Sequence, residues 1–368
     1  MNNIILFLIF ILFVLFSIYF LKHKNDNTKL LENYNVYKSI VKNIIKKKHK
    51  IITYSKNSLQ YNYAKLLSSF YALEVISSKG TFQNINKINN NEISFGIVHE
   101  DMVINALLGN KPFFSKDKKK YNNLNYITGI YEEQINLVVN SKFKINSWND
   151  LKGKTICFGN KNSVSLYNGL ILCNLIGIKK KDINIIYGNI YSKKIKHLII
   201  KDVIHGFMVI SENPNTYLKN LCKIKSLKFL GCNGISDEII KIKFPYWIKS
   251  NINVKDYKIL SLNDIISTWS IKMILITNSN ENKINVFNLI KTLFENNNKI
   301  KIKFKNKEHK KVMRNYQLDK SFQLKNIIPL HEGVKLYYKY IGIITENKDI
   351  NCKHFVGTGK CNLELIDI

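Results

Sequence analysis

The sequence predicts an α/β fold built on parallel strands, and three observations carry that prediction. A short apolar strand, a polar loop and a helix-spaced apolar segment follow one another three times within residues 51–108. That order lays parallel strands side by side with helices packed on them. The same succession returns within residues 155–216. With 368 residues, 45% of them hydrophobic and 12% aromatic, the chain is large enough to give each series a core of its own.

The first segment is of another kind. Residues 4–21 are apolar except for Ser17, about the length that spans a bilayer core. Met1-Asn2-Asn3 carries no positive side chain, and Ile18-Tyr19-Phe20-Leu21 offers no pair of small residues for cleavage. Residues 1–24 are therefore expected to be an uncleaved single-pass anchor rather than a removed signal. Lys22, His23 and Lys24 follow the span and, taken alone, would keep the main domain cytoplasmic, but lysine is abundant throughout, so charge does not fix the orientation. Residues 25–45 read as a polar linker, closed by the basic run 46–50.

Residues 51–54 open the first series as a strand. The loop Ser55-Lys56-Asn57-Ser58 follows, then a helix from Leu59 with Tyr63, Leu66, Leu67 and Phe70 on one face. Residues 72–76 are the second strand, 77–81 a polar loop, and 82–89 a helix aligned on Phe82, Ile85 and Ile88. Residues 93–98 are the third strand, in which Gly96 lets a neighbouring backbone come close. It stops at His99, Glu100 and Asp101, ahead of a helix over 102–108. In open α/β sheets, ligands bind beyond the carboxyl ends of strands. Asp101 is thus either a ligand contact or the cap of the helix that begins at Met102. Residues 111–123 form a basic, exposed loop, residues 126–131 and 135–139 two strands, and residues 147–154 a helical turn ending at Gly153.

The second series starts with a strand at 155–159 and a loop at 160–165 leading into a helix through Ile176. Ser163 or Ser165 suits the start of that helix, whose free amides offer a carboxylate or phosphate site. A plain serine cap explains the same residues. A strand at 183–187, a helix at 192–202 and a strand at 206–210 lead to the polar turn 211–215, which opens a helix at Thr216. After a strand at 225–230 and a helix at 236–242, the aromatic loop 244–248 serves either packing between lobes or ligand contact. A long apolar strand at 265–276 crosses between lobes, and an amphipathic helix follows at 284–296. Residues 299–311 fit a helix or a loop, and residues 334–340 form a closing helix.

Composition narrows the chemistry. The formal net charge is +31, from 57 Lys and Arg against 26 Asp and Glu. The lysines are scattered among Asn and Ile, which describes a solvated surface rather than a nucleic-acid face, so no specific nucleic acid is expected. The charge still draws anionic solutes at low salt. The six cysteines include no CxxC and no Cys/His cluster with zinc spacing, so neither metal nor cofactor is expected. Cys157 and Cys173 lie in apolar stretches as small buried hydrophobes, and Cys352 and Cys361 could pair in an oxidising compartment. His99, Glu100, Asp101 and Cys232 are the residues an enzyme could use, but no motif pairs them, and no catalytic activity is expected.

Six motifs in one order resemble the TAXI-type solute receptors of tripartite ATP-independent periplasmic (TRAP) transporters. They are the turn into a helix at 78–85, the strand 95–101 ending His99-Glu100-Asp101, the segment 148–159 around Lys152-Gly153-Lys154, Asn213-Pro214-Asn215, Phe244-Pro245-Tyr246, and Leu330-His331-Glu332-Gly333 with Tyr337-Tyr338. The resemblance implies an α/β, two-lobed type II periplasmic-binding-protein-like fold with an N-terminal transmembrane helix. Lobe 1 would comprise residues 46–136 and 264–345, lobe 2 residues 137–263, and 346–368 a tail. It further implies an extracytoplasmic domain that captures a small anionic solute, amino-acid or dicarboxylate-like, for TRAP membrane subunits. The contacts expected are Ser55, Asn57, Ser58, Gly80, Thr81 and Asp101 from lobe 1, and Ser163, Ser165 and Asn215 from lobe 2. Tyr131 is expected at the hinge, and Lys56 or Lys161 to add charge. Where the family has glycine-rich loops this chain has Tyr54-Ser55-Lys56-Asn57-Ser58 and Asn160-Lys161-Asn162-Ser163. These changes leave a second possibility, a degenerate lobe kept as a tethered sensor or structural module. A transferase on the same fold is a third.

Overall fold

The structure is a computed structural model that describes residues 48–113, 121–259, 264–315 and 327–342. The expected anchor and linker, the centre of the 111–123 loop, and the tail with Cys352 and Cys361 lie outside the described residues. Among the described residues no helix is long and apolar enough to cross a membrane.

Ten strands hydrogen-bond into one mixed sheet. Strands β1 (His49–Thr53), β2 (Leu73–Ser77) and β3 (Phe95–His99) alternate with helices α1 (Leu59–Leu67), α2 (Thr81–Asn89) and α3 (Glu100–Leu108). After the long β4 (Leu124–Asn140), strands β5 (Thr155–Gly159), β6 (Asn184–Tyr187), β7 (Gly206–Ser211) and β8 (Leu227–Gly231) alternate with helices α4 (Val164–Leu175), α5 (Lys193–Ile200) and α6 (Thr216–Cys222). Helix α7 (Asp237–Lys243), strand β9 (Ile248–Asn253), the long β10 (Ile265–Asn278) and helices α8 (Lys283–Ile302), α9 (Lys307–Asn315) and α10 (Glu332–Tyr340) complete the order.

The two strand series are built alike. The first runs β2-β1-β3-β10-β4, with β1, β2 and β3 mutually parallel and β10 antiparallel to β3. The second runs β6-β5-β7-β4-β8, with β5, β6 and β7 parallel and β4 antiparallel to β7. Each series therefore takes its fourth strand from a long strand that also serves the other. The β4 strand pairs with β10 along residues 124–134 and with β7 along 134–139. The described residues thus form an α/β sheet of two matched halves joined by the long strands β4 and β10. Parallel strands are covered on both faces, which is why β3 and β7 are buried at every position.

Several elements differ from the expectation. The strands expected at 126–131 and 135–139 are one, because Glu132, Glu133 and Gln134 between them continue the ladder to β10. Their polar side chains find partners instead of ending the strand: Ser270 Oγ donates to Glu132 at 2.6 Å, and Gln134 Nε2 donates to Ser250 Oγ at 3.3 Å. Helix α3 starts at Glu100, so Asp101 sits in its first turn and is not its cap. Residues 299–311 are helical on both sides of a short break. Strand β9 is too polar (Ile-Lys-Ser-Asn-Ile-Asn) to be read as one, and forms because it pairs with the start of β10. Phe113 and Tyr121 of the supposedly exposed loop are buried against one another, edge to face at 5.2 Å. In the aromatic loop Phe244 and Trp247 stack at 4.1 Å and are buried in the core, so that loop packs and does not line the cavity described below.

One contact fixes the end of β8. The Trp148 indole donates to the Gly231 carbonyl at 2.8 Å, and Trp148 is fully buried. Gly231 has φ +54, and a Cβ there would collide with the Ser267 carbonyl oxygen of β10. Gly231→Ala should therefore cost about 2–4 kcal/mol through strain and overpacking. Urea unfolding checks this, and an unchanged midpoint would refute the close approach.

Candidate functional site

The carboxyl ends of β1, β3, β5 and β7 open onto one cavity of about 580 Å³. Its walls come from both strand series: residues at or beyond the ends of β1 and β2, such as Tyr54, Ser55 and Lys79, on one side, and of β5 and β7, such as Gly159, Asn162 and Thr216, on the other. Strand ends supply it because each β-to-α connection leaves the sheet at the same edge. Of the residues expected from the sequence, Ser55, Asn57, Ser58, Gly80, Thr81, Ser163, Ser165 and Asn215 line this space.

Three of those side chains already hold helix ends. Ser58 Oγ accepts from Tyr61 N at 3.2 Å and donates to the Ser55 carbonyl. Ser163 Oγ accepts from Leu166 N at 3.2 Å and donates to the Asn160 carbonyl. Asn215 Oδ1 accepts from Leu218 N at 3.1 Å. The serine-cap alternative is therefore realised at Ser163, where capping satisfies amides that start each helix without partners. Gly80 differs: it heads α2 at φ 137 with no side-chain cap, a conformation that favours glycine.

Asp101 and Tyr131 do not line the cavity. Asp101 is fully buried and accepts from Asn168 Nδ2 of α4 at 2.8 Å, so it joins α3 to α4 behind the cavity. Burial raises its pKa, against the opposing influence of His99 and the Asn168 hydrogen bond. Tyr131, also fully buried on β4, donates its hydroxyl to Glu133 Oε1 at 2.9 Å. Lys56 and Lys161 are likewise absent from the lining, and Lys161 lies over the Tyr187 ring at 5.6 Å. The lysine that does reach the cavity is Lys79, which is exposed.

Sequence reasoning missed the cavity's acidic floor. Glu133 and Glu212 line it, 3% and 8% exposed, and the buried His99 and His309 line it beside them. Glu133 is held on every side: Gln60 Nε2 donates to Oε1 at 2.7 Å, and His99 Nε2 meets Oε2 at 2.9 Å. Thr81 Oγ1 lies 2.8 Å from His99 Nδ1, so with Nε2–H donating to the carboxylate the threonine hydroxyl serves Nδ1 as donor or acceptor. Burial disfavours the His99 cation, but the Glu133 hydrogen bond and the charges of Glu133 and Asp101 outweigh it and raise the pKa. Glu212 Oε1 accepts from Asn215 Nδ2 at 3.1 Å and has His309 Nε2 at 3.6 Å. Burial raises the Glu212 pKa, and the Glu133 charge adds to that against the influence of His309. Burial and the Glu133 charge also raise the Tyr54 pKa. The expectation of an anionic solute thus meets two buried carboxylates, and the lysine in the lining is Lys79 in place of Lys56 or Lys161. The missed signal was present, since each glutamate ends or interrupts an apolar strand run in a chain with few acids.

Similar solved structures share low identity. The periplasmic aliphatic sulphonate binding protein SsuA from Escherichia coli is 12% identical, with 80% of this chain and 78% of that chain covered at a TM-score of 0.41. The arginine-, lysine-, histidine-binding protein ArtJ from Geobacillus stearothermophilus is 15% identical, over 71% and 96% of the two chains at 0.42. The protein from Streptococcus mutans described with glutathione import via GshT is 12% identical, over 73% and 95% at 0.43. The sequence match is more extensive. Residues 60–342 match the NMT1-like family, and with most of its length inside that match the chain belongs to the NMT1-like family.

Proposed function

We propose that this protein is a solute receptor of the TAXI type, which closes two lobes on a small molecule and passes it to TRAP membrane subunits. The observation that carries the reading is the cavity itself, lined by strand-end loops from both strand series. In this reading residues 46–136 and 264–345 form lobe 1, residues 137–263 form lobe 2, and β4 and β10 flex between them. Residues 1–24 tether the receptor to the membrane with its main domain extracytoplasmic. Membership of the NMT1-like family supports a binding role over catalysis.

Ser55, Asn57, Gly80, Thr81 and Ser165 are the contacts proposed for the solute, with Ser58, Ser163 and Asn215 fixing the helix starts around it. A receptor saturated at about 100 times its dissociation constant gains about 2.7 kcal/mol of stability. Thermal melting of the purified full-length protein against amino acids, dicarboxylates, amines and phosphates reads this directly. No stabilisation by any member would defeat the proposal. Stabilisation without uptake in membranes carrying the transporter subunits would instead select the tethered sensor that the changed loops Tyr54–Ser58 and Asn160–Ser163 suggest.

A further inference from the structure

We infer that the solute taken by this cavity carries an ammonium group, received by Glu212 and Asn84 beside Glu133. The inference rests on the receptor reading and goes on to name the chemical class of its ligand. Asn84 lines the cavity and is 1% exposed. Its Nδ2 donates to the Ile97 carbonyl at 3.2 Å, which fixes the amide and leaves Oδ1 as its buried acceptor end. That oxygen has no hydrogen-bond partner among the described residues. A buried acceptor without a donor is costly, and a native structure keeps one where something else supplies the donor. Of the buried side-chain atoms left in this state, Asn84 Oδ1 alone belongs to a residue of the cavity wall.

Glu212 tells the same way. Its Oε1 is occupied by Asn215, and apart from the residue's own backbone N–H no further donor is directed at Oε2 among the described residues. His309 approaches only to 3.6 Å. Glu133, by contrast, has both oxygens taken by Gln60, Tyr131 and His99, and contributes a fixed negative charge with no vacancy. The open positions in this wall are thus acceptors, one of them charged. An –NH₃⁺ group offers three donors and one positive charge, which matches them. A dicarboxylate offers neither, and would bring two further negative charges toward Glu133 and Glu212. The chain's single arginine, Arg314, is not in the lining, and Lys79 at the exposed edge is the wall's lysine.

Isothermal titration of the full-length protein with four sets of probes tests the inference. They are α-amino acids, the matching 2-hydroxy acids, dicarboxylates, and simple alkylamines. Binding is expected only among the ammonium-bearing sets, and amino acids or alkylamines binding alone would each satisfy it. Glu212→Gln should weaken that binding at least tenfold, and Asn84→Leu should weaken it severalfold. The melting temperature of Glu212→Gln should stay level or rise, which separates lost recognition from lost folding. Hydroxy acids or dicarboxylates binding as tightly as their amino counterparts would overturn the inference while leaving the receptor intact. So would an amine affinity unchanged in Glu212→Gln. Silence from every probe would instead defeat the receptor reading, and the inference with it.

Discussion

Replacing Glu133 by leucine should lower the unfolding free energy by about 3–5 kcal/mol, the range for breaking a buried charge pair from one side. Leucine fills similar space but accepts nothing. Gln60 Nε2, the Tyr131 hydroxyl and His99 Nε2 would all lose their acceptor. A pH series gives a second, sharper readout. In the native protein the His99 pKa lies above its ordinary 6.5, raised by Glu133 and Asp101 against burial. Its stabilising contribution is complete below pH 6.5 and is lost as pH rises through the folded value. In Glu133→Leu, burial becomes the dominant influence, because it is the largest single cause acting on His99. The dependence then reverses, with stability lost as pH falls through 6.5. Urea denaturation at about pH 5.5, 7 and 8.5, values that bracket the ordinary histidine pKa, distinguishes the two slopes. Parallel slopes in both proteins would refute the pairing.

Trp148→Ala should cost about 3–5 kcal/mol, the range for an aromatic side chain deleted from a packed core. The ring is among the largest fully buried side chains and stacks near Phe158, with centroids 6.4 Å apart. Its loss also strips the Gly231 carbonyl of the indole N–H. Trp148→Phe separates the two effects: most of the apolar volume stays and the donor goes, so the loss should fall to about 1–3 kcal/mol. The chemical-denaturation midpoint measures both, with the slope expected to hold. Equal losses from the two variants would place the whole effect in the hydrogen bond.

The α/β pattern was legible because strands and helices carry different periodicities, and the βα units of residues 51–108 and 155–216 kept them apart. The crossing strands were only half legible. Residues 265–276 are mostly apolar and end in the unbroken run Met273–Ile276, but β4 carries Glu132, Glu133 and Gln134 at its middle, which looks like a turn until β10 is seen to pair through it. The strand-end loops could be read, since chain order alone assigns Ser55, Gly80 and Ser163 to one edge of the sheet. Burial could not. Asp101 follows the end of β3 and is enclosed against helix α4, whereas Glu133, in the middle of β4, faces the cavity. His309 was beyond reach because it arrives on α9, far away in sequence, inside a lysine-rich stretch that reads as solvated surface.

The exchange of long strands has a consequence for the order in which the molecule is made. The second strand series draws all five of its members from residues 124–231, a continuous stretch. The first needs β10, which ends at Asn278, inserted between β3 and β4. Chains are synthesised from the amino end, and domains generally form as units in that order. Here the later-synthesised series is the one able to close first. The earlier one must leave the edge of β3 unpaired until about 180 further residues have emerged, the gap between His99 and Asn278. Until then that edge is open to pairing with a neighbouring chain.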